Sequence, residues 1–141
     1  MIPSSLKERI DAIEECYEFM LAYAAQGLPA DAGSSSGSQL RQLLGRAVDA
    51  LSGLAEDYAA AVRQDSFEPA ARYQAFLAVL ARDAADSLAA LELVQAQPAL
   101  SSQLIDNLNA SIHLRALLTD IFLIDEVLKQ RNAASNAIST E

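Results

Sequence analysis

Apolar residues recur along most of this chain at alternating steps of three and four, the spacing that aligns one face of an α-helix at about 100° per residue. Leu6, Ile10, Ile13, Tyr17, Met20 and Ala24 form the first stripe, with Asp11, Glu15 and Glu18 roughly opposite. Cys16, Phe19 and Tyr23 add a second apolar flank, wider than a helix between two neighbours needs. The pattern predicts a helix over about 4–26, opened by the capping-box residues Ser5-Leu6-Lys7-Glu8 and stopped at Gly27.

Residues 27–37, GLPADAGSSSG, have the Gly/Ser/Pro content of a flexible connection, and their length leaves room to cross the end of a bundle. A second helix over about 38–64, capped by Ser38, carries Leu40, Leu43, Leu44, Ala47, Leu51, Leu54, Ala55, Tyr58 and Val62 on one face. Asp65-Ser66-Phe67-Glu68-Pro69 reads as a turn into a third helix over about 68–97, which would make helices two and three an antiparallel hairpin. The third stripe is Tyr73, Phe76, Leu77, Leu80, Ala84, Leu88, Leu91 and Val94, thin at Ala84 and Ser87, and Pro98 ends it.

The fourth segment, about 101–130, changes phase. Leu104, Ile105, Leu108 and Ile112 define one face, and Leu114, Leu118, Ile121 and Leu128 another. In a regular helix these lie roughly 150° apart. Burial on all sides, a bend, or a second subunit would each account for the shift. The expectation adopted is the subunit: a homodimer face formed by Leu114, Leu117, Ile121, Ile124 and Leu128, with Cys16, Phe19 and Tyr23 of the first helix. Four long helices and short turns predict a single-domain, all-α, up-down-up-down four-helix bundle, with residues 133–141 as a frayed tail. Matching axial levels also predicts that Asp125 or Glu126 accepts a hydrogen bond from Tyr58 or Tyr73.

Composition changes this picture in two ways. The chain is 52% apolar, too rich for an acidic disordered segment, so its formal charge of −9 decorates a folded object. That charge repels phosphate backbones and anionic lipid, and no run approaches the roughly 18 apolar residues of a membrane span, so neither nucleic acid nor membrane is an expected partner. The single cysteine, Cys16, makes no internal disulfide and points to a cytoplasmic setting.

Candidate chemistry adds little. A dinuclear metal centre requires inward carboxylates from four helices and Glu-x-x-His pairs, but the sole histidine, His113, follows Ala110 at that spacing. Histidine phosphotransfer domains are small four-helix bundles too, yet they carry a lysine and a glycine shortly after the histidine. Leu114, Arg115, Ala116 and Leu117 stand there instead. On a regular fourth helix Arg115 would lie beside a buried face and need a carboxylate, with Asp83 or Asp86 at its level. The parts of a serine triad and of a phosphate loop are missing. The resulting expectation is a non-enzymatic protein, without cofactor or metal, that binds itself and an unidentified protein partner. The alternative is a ligand, metal or phosphoryl-transfer bundle using His113, Arg115, Asp83 and Asp86.

Overall fold

A computed structural model describes residues 4–65 and 67–139, with side chains placed for 5–65 and 67–134. The described residues form five α-helices and no strand: α1 Ser4–Ala24, α2 Ser35–Asp65, α3 Ala70–Gln95, α4 Ser102–Ala110 and α5 His113–Ser139. Helix α2 packs on both α1 and α3, α4 lies mainly against α1, and α5 lies against α3. The predicted stripes of the first three helices are buried, with Leu6, Ile13, Leu40, Leu44, Leu54, Tyr58, Leu80 and Leu91 among the side chains shut off from solvent. Cys16 and Tyr23 of the second flank of α1 are buried as well, and Phe19 half-buried, because α4 covers the side that α2 leaves open.

The expected single fourth helix is two helices. Ile112 has φ 64°, the left-handed region that a β-branched side chain adopts only at a cost, and it is the sole non-glycine there among the described residues. Ser111 closes α4 by donating its hydroxyl to the Leu108 carbonyl at 2.6 Å, and the Ile112 carbonyl accepts the first bond of α5 from Ala116 at 2.8 Å. This interruption resets the register. Ile105 of α4 and Leu117 and Ile121 of α5, which a regular helix would turn away from each other, all reach full burial in one core. The phase change therefore reflects a break in the chain, and the face assigned to a second subunit is filled by the protein itself. At its other end α5 continues to Ser139, past the expected stop near 130 and into the stretch expected to be a frayed tail.

The Gly/Ser-rich connection is shorter than expected and pinned at both ends. Gly27, at φ 68°, terminates α1. Beyond it the Leu28 N–H donates to Ser102 Oγ, the Ser102 N–H donates to the Leu28 carbonyl, both at 2.8 Å, and Ser102 Oγ donates to the Tyr23 carbonyl at 2.7 Å. Asp31 accepts from Arg41 Nε at 2.8 Å and from the Leu100 N–H at 2.7 Å. The same guanidinium donates to the carbonyls of Gln95 and Gln97, both at 2.9 Å, so one arginine ties the loop, α2 and the end of α3 together. Helix α2 is capped by Ser34, whose hydroxyl accepts from the Gly37 N–H at 2.9 Å, three residues before the expected start. Ser38, expected as the cap, already lies inside the helix.

Two substitutions test this geometry. A Cβ at Gly37 would collide with the Asp31 backbone, which cannot swing aside like a side-chain tip. Gly37→Ala should therefore cost about 1–3 kcal/mol in urea unfolding, despite the better helix propensity of alanine. Ile112→Gly should raise stability by about 0.5–1 kcal/mol, because relief of left-handed strain outweighs the entropy of an added glycine. A loss of stability would show that the strain relieved at Ile112 is smaller than the cost of the added glycine and the lost side-chain contacts.

Candidate functional site

The residues expected to form a dimer face lie inside the molecule. Leu114, Leu117, Ile121, Ile124, Leu128, Cys16 and Tyr23 are core residues, and Phe19 is half-buried, its ring 6.5 Å from that of Tyr23. Tyr23 also donates its hydroxyl to the Leu100 carbonyl at 2.6 Å, an internal contact that leaves no donor free for a partner. Burial pushes the Cys16 thiol up to about 12, with Glu15 adding to the shift, so this sulfur is not a reactive thiolate.

The ligand candidates do not converge either. His113, Arg115 and Asp86 are exposed, and among the described residues no ion pair joins Arg115 to Asp83 or Asp86. The predicted pairing assumed that the Leu104/Leu108 stripe ran on through Arg115. The break at Ile112 instead turns that position outward. Half-buried Asp83 meets Asp120 of α5, beside the thin stretch of α3 at Ala84 and Ser87. No group of three or more His, Cys, Asp or Glu side chains suited to a metal ion occurs among the described residues.

The reset register has an outward consequence. With Leu114, Leu117, Leu118, Ile121 and Ile124 turned inward, Phe122 and Leu123 project from α5 with 58% and 55% of their surface exposed. Each borders a different groove. On one side a groove of about 340 Å³ between α3 and α5 is lined by Pro69, Arg72, Tyr73, Phe76, Leu123, Ile124 and Val127. On the other, Glu14, Tyr17, Glu18 and Leu21 of α1 face Arg115, Leu118, Thr119 and Phe122 of α5 across about 300 Å³. Leu21 is itself 48% exposed, which extends the apolar surface onto α1. Exposed apolar side chains scattered singly are ordinary, whereas Phe122 and Leu123 are chain neighbours, each beside a groove with apolar lining.

Acidic groups surround this patch. Tyr58, whose ring is in the core, donates its hydroxyl to Asp125 at 2.7 Å, which is the bond predicted from the axial levels. Burial raises the Asp125 carboxyl above the ordinary range, and the Tyr58 hydroxyl partly offsets this. Glu14 is raised by burial first and then by repulsion from Asp11, Glu18 and Asp125. Asp120 is raised furthest, to about 7, by burial and then by the adjoining Asp83 carboxyl. One of its oxygens is buried without a hydrogen-bond partner, as is the Ser87 hydroxyl. Sequence reasoning placed Asp125 but missed Asp120, Phe122 and Leu123 as a group, because their orientation follows from where α5 begins.

The Asp120 shift dictates a pH dependence. The folded protein holds a proton on Asp120 that the unfolded chain releases near 3.8, so the contribution to stability is present below that value and declines as pH rises to about 7. Asp120→Asn should flatten urea stability across that window and leave the variant more stable than the wild type at pH 8. An unchanged slope would show that the Asp120 carboxyl is not raised in the folded protein. Comparison with known proteins finds no matching family model, no matching curated protein and no matching solved structure, so the geometry alone carries the functional reading.

Proposed function

We propose that this chain is a non-enzymatic helical-bundle protein that acts by binding another protein through the α5 ridge. The observation that carries the reading is the pair Phe122 and Leu123, adjacent, more than half exposed and set between two apolar grooves. Three features support it. The inward residues of α5 already fill the core, and the outward pair leaves more than half of its surface uncovered. The groups that might have supported chemistry, His113, Arg115, Asp83 and Asp86, do not assemble into a constellation. Helical packing also suits a rigid platform: in this reading α1, α2, α3 and the α4–α5 pair form four antiparallel segments, up-down-up-down, the last one broken. Exposed ridges on such platforms bind through a few large apolar anchors.

A homodimer built on Leu114, Leu117, Ile121, Ile124 and Leu128 is not part of this reading, because a partner could reach those side chains only by unfolding the core. Self-association through Phe122 and Leu123 remains one form that protein binding could take. The direct test places a photo-crosslinking phenylalanine analogue at position 122 or 123, and at the exposed control positions Glu56 and Glu92. Irradiation in an extract of the cells that make the protein should give a discrete adduct from 122 and 123 and none from the controls. Equal labelling at all four positions, or none at any, would contradict the proposal.

A further inference from the structure

Of the two grooves beside the ridge, the one between α1 and α5 has the shape and charge to select a class of partner. Helix α4 lies on α1 and α5 on α3, so α1 and α5 do not pack closely and leave a slot between them. Its walls run from Glu14 to Leu21 and from Arg115 to Phe122, eight residues each, or about 10 Å at about 1.5 Å per residue step. That is two helical turns on both sides, with Tyr17 and Leu118 among the apolar lining. A helix laid into such a slot takes the place of a bundle neighbour and needs apolar side chains spaced by three and four over those turns.

Charge narrows the class further. The α1 wall carries Glu14 and Glu18, with Asp11 a turn below and Asp125 of α5 near enough to act on Glu14, so these four acids outnumber the single cation of the lining, Arg115, and none of the four takes part in an ion pair among the described residues. Burial first, and then repulsion from the neighbouring acids, holds the Glu14 carboxyl above its ordinary range. A lysine or arginine beside Glu14 and Glu18 would remove that repulsion, whereas a second copy of a chain with charge −9 would add to it. We infer that the α1/α5 groove receives an amphipathic helix of a partner protein, apolar on its inner face and carrying lysine or arginine along the flank that meets Glu14 and Glu18. The inference rests on the reading of the α5 ridge as a docking surface and adds the chemistry of its occupant.

The test titrates the isotope-labelled full chain with synthetic helical peptides of about five turns. One has leucines on a single face and lysines elsewhere. A second replaces every lysine with glutamate, and a third keeps the composition of the first but scatters its leucines around the helix. The patterned basic peptide should bind saturably, weaken with added salt, and shift backbone amides between 14 and 21 of α1 and between 115 and 122 of α5. Phe122→Ala and the double change Glu14→Gln with Glu18→Gln should each reduce affinity by about tenfold, with thermal unfolding curves confirming that both variants fold. Binding of the scattered peptide as tight as the patterned one, or shifts elsewhere on the surface, would overturn the assignment. Equal binding of the acidic and basic peptides at this groove would overturn the basic class while leaving the docking surface intact. Phe122-dependent dimerisation of the chain alone in sedimentation would put a second copy in the groove and overturn the inference too. Failure of the ridge itself reads out separately, as loss of crosslinking from both 122 and 123.

Discussion

The architecture depends on a left-handed turn at a residue poorly suited to it. A continuous helix from Ser102 onward would carry two apolar faces roughly 150° apart, and one of them would have to face water. Breaking the chain at Ile112 lets both face the same core. The costs are one strained backbone conformation and an exposed isoleucine, and the gain is burial of Leu114, Leu117, Leu118, Ile121 and Ile124 against α3 and its neighbours. Full burial of such a side chain contributes about 1.5–3 kcal/mol, so several of them outweigh about 1–2 kcal/mol of left-handed strain. The same rotation turns Phe122 and Leu123 outward and Asp120 toward Asp83. The core, the ridge and the carboxyl pair are therefore three results of one turn.

The opposite end of the molecule is organised by polar contacts. Asp31 and Arg41 form a partly buried ion pair, and each also satisfies backbone groups: Asp31 the Leu100 N–H, Arg41 the carbonyls of Gln95, at the end of α3, and Gln97 beyond it. The arginine first, then the Leu100 N–H, hold the Asp31 carboxyl below its ordinary range. Together with the reciprocal bonds between Leu28 and Ser102, this clasp orders a glycine- and serine-rich loop and fixes where α4 starts.

Much of this was legible in the residue pattern. The stripes of α1, α2 and α3 predicted their buried faces, and the lengths of the turns put Tyr58 level with Asp125. The phase change was visible too, at Ile112 and Leu114, but its cause was not. No glycine or proline marks the break, and a β-branched residue is the last to suggest a left-handed turn. Placing a second subunit on the far face followed from treating the segment as one regular helix. The pairing of Arg115 with Asp83 failed for the same reason. Contacts at the clasp were beyond reach for another: Asp31 and Arg41 are ten residues apart across a loop whose composition reads as flexible, and its order comes from partners at Leu100 and Ser102 about seventy residues further along.

The central claim is that the turn at Ile112 sets the register of α5, burying one side of it and presenting Phe122 and Leu123 on the other. The most direct measurement is the thiol-labelling rate of single cysteines placed in turn at 114, 117, 118, 121, 122 and 123, with Cys16 replaced by alanine. The account predicts fast labelling at 122 and 123 and strong protection at 114, 117, 118 and 121. Protection at 122 together with rapid labelling at 114, 118 and 121, as one unbroken helix continuing the face of α4 would give, would contradict it.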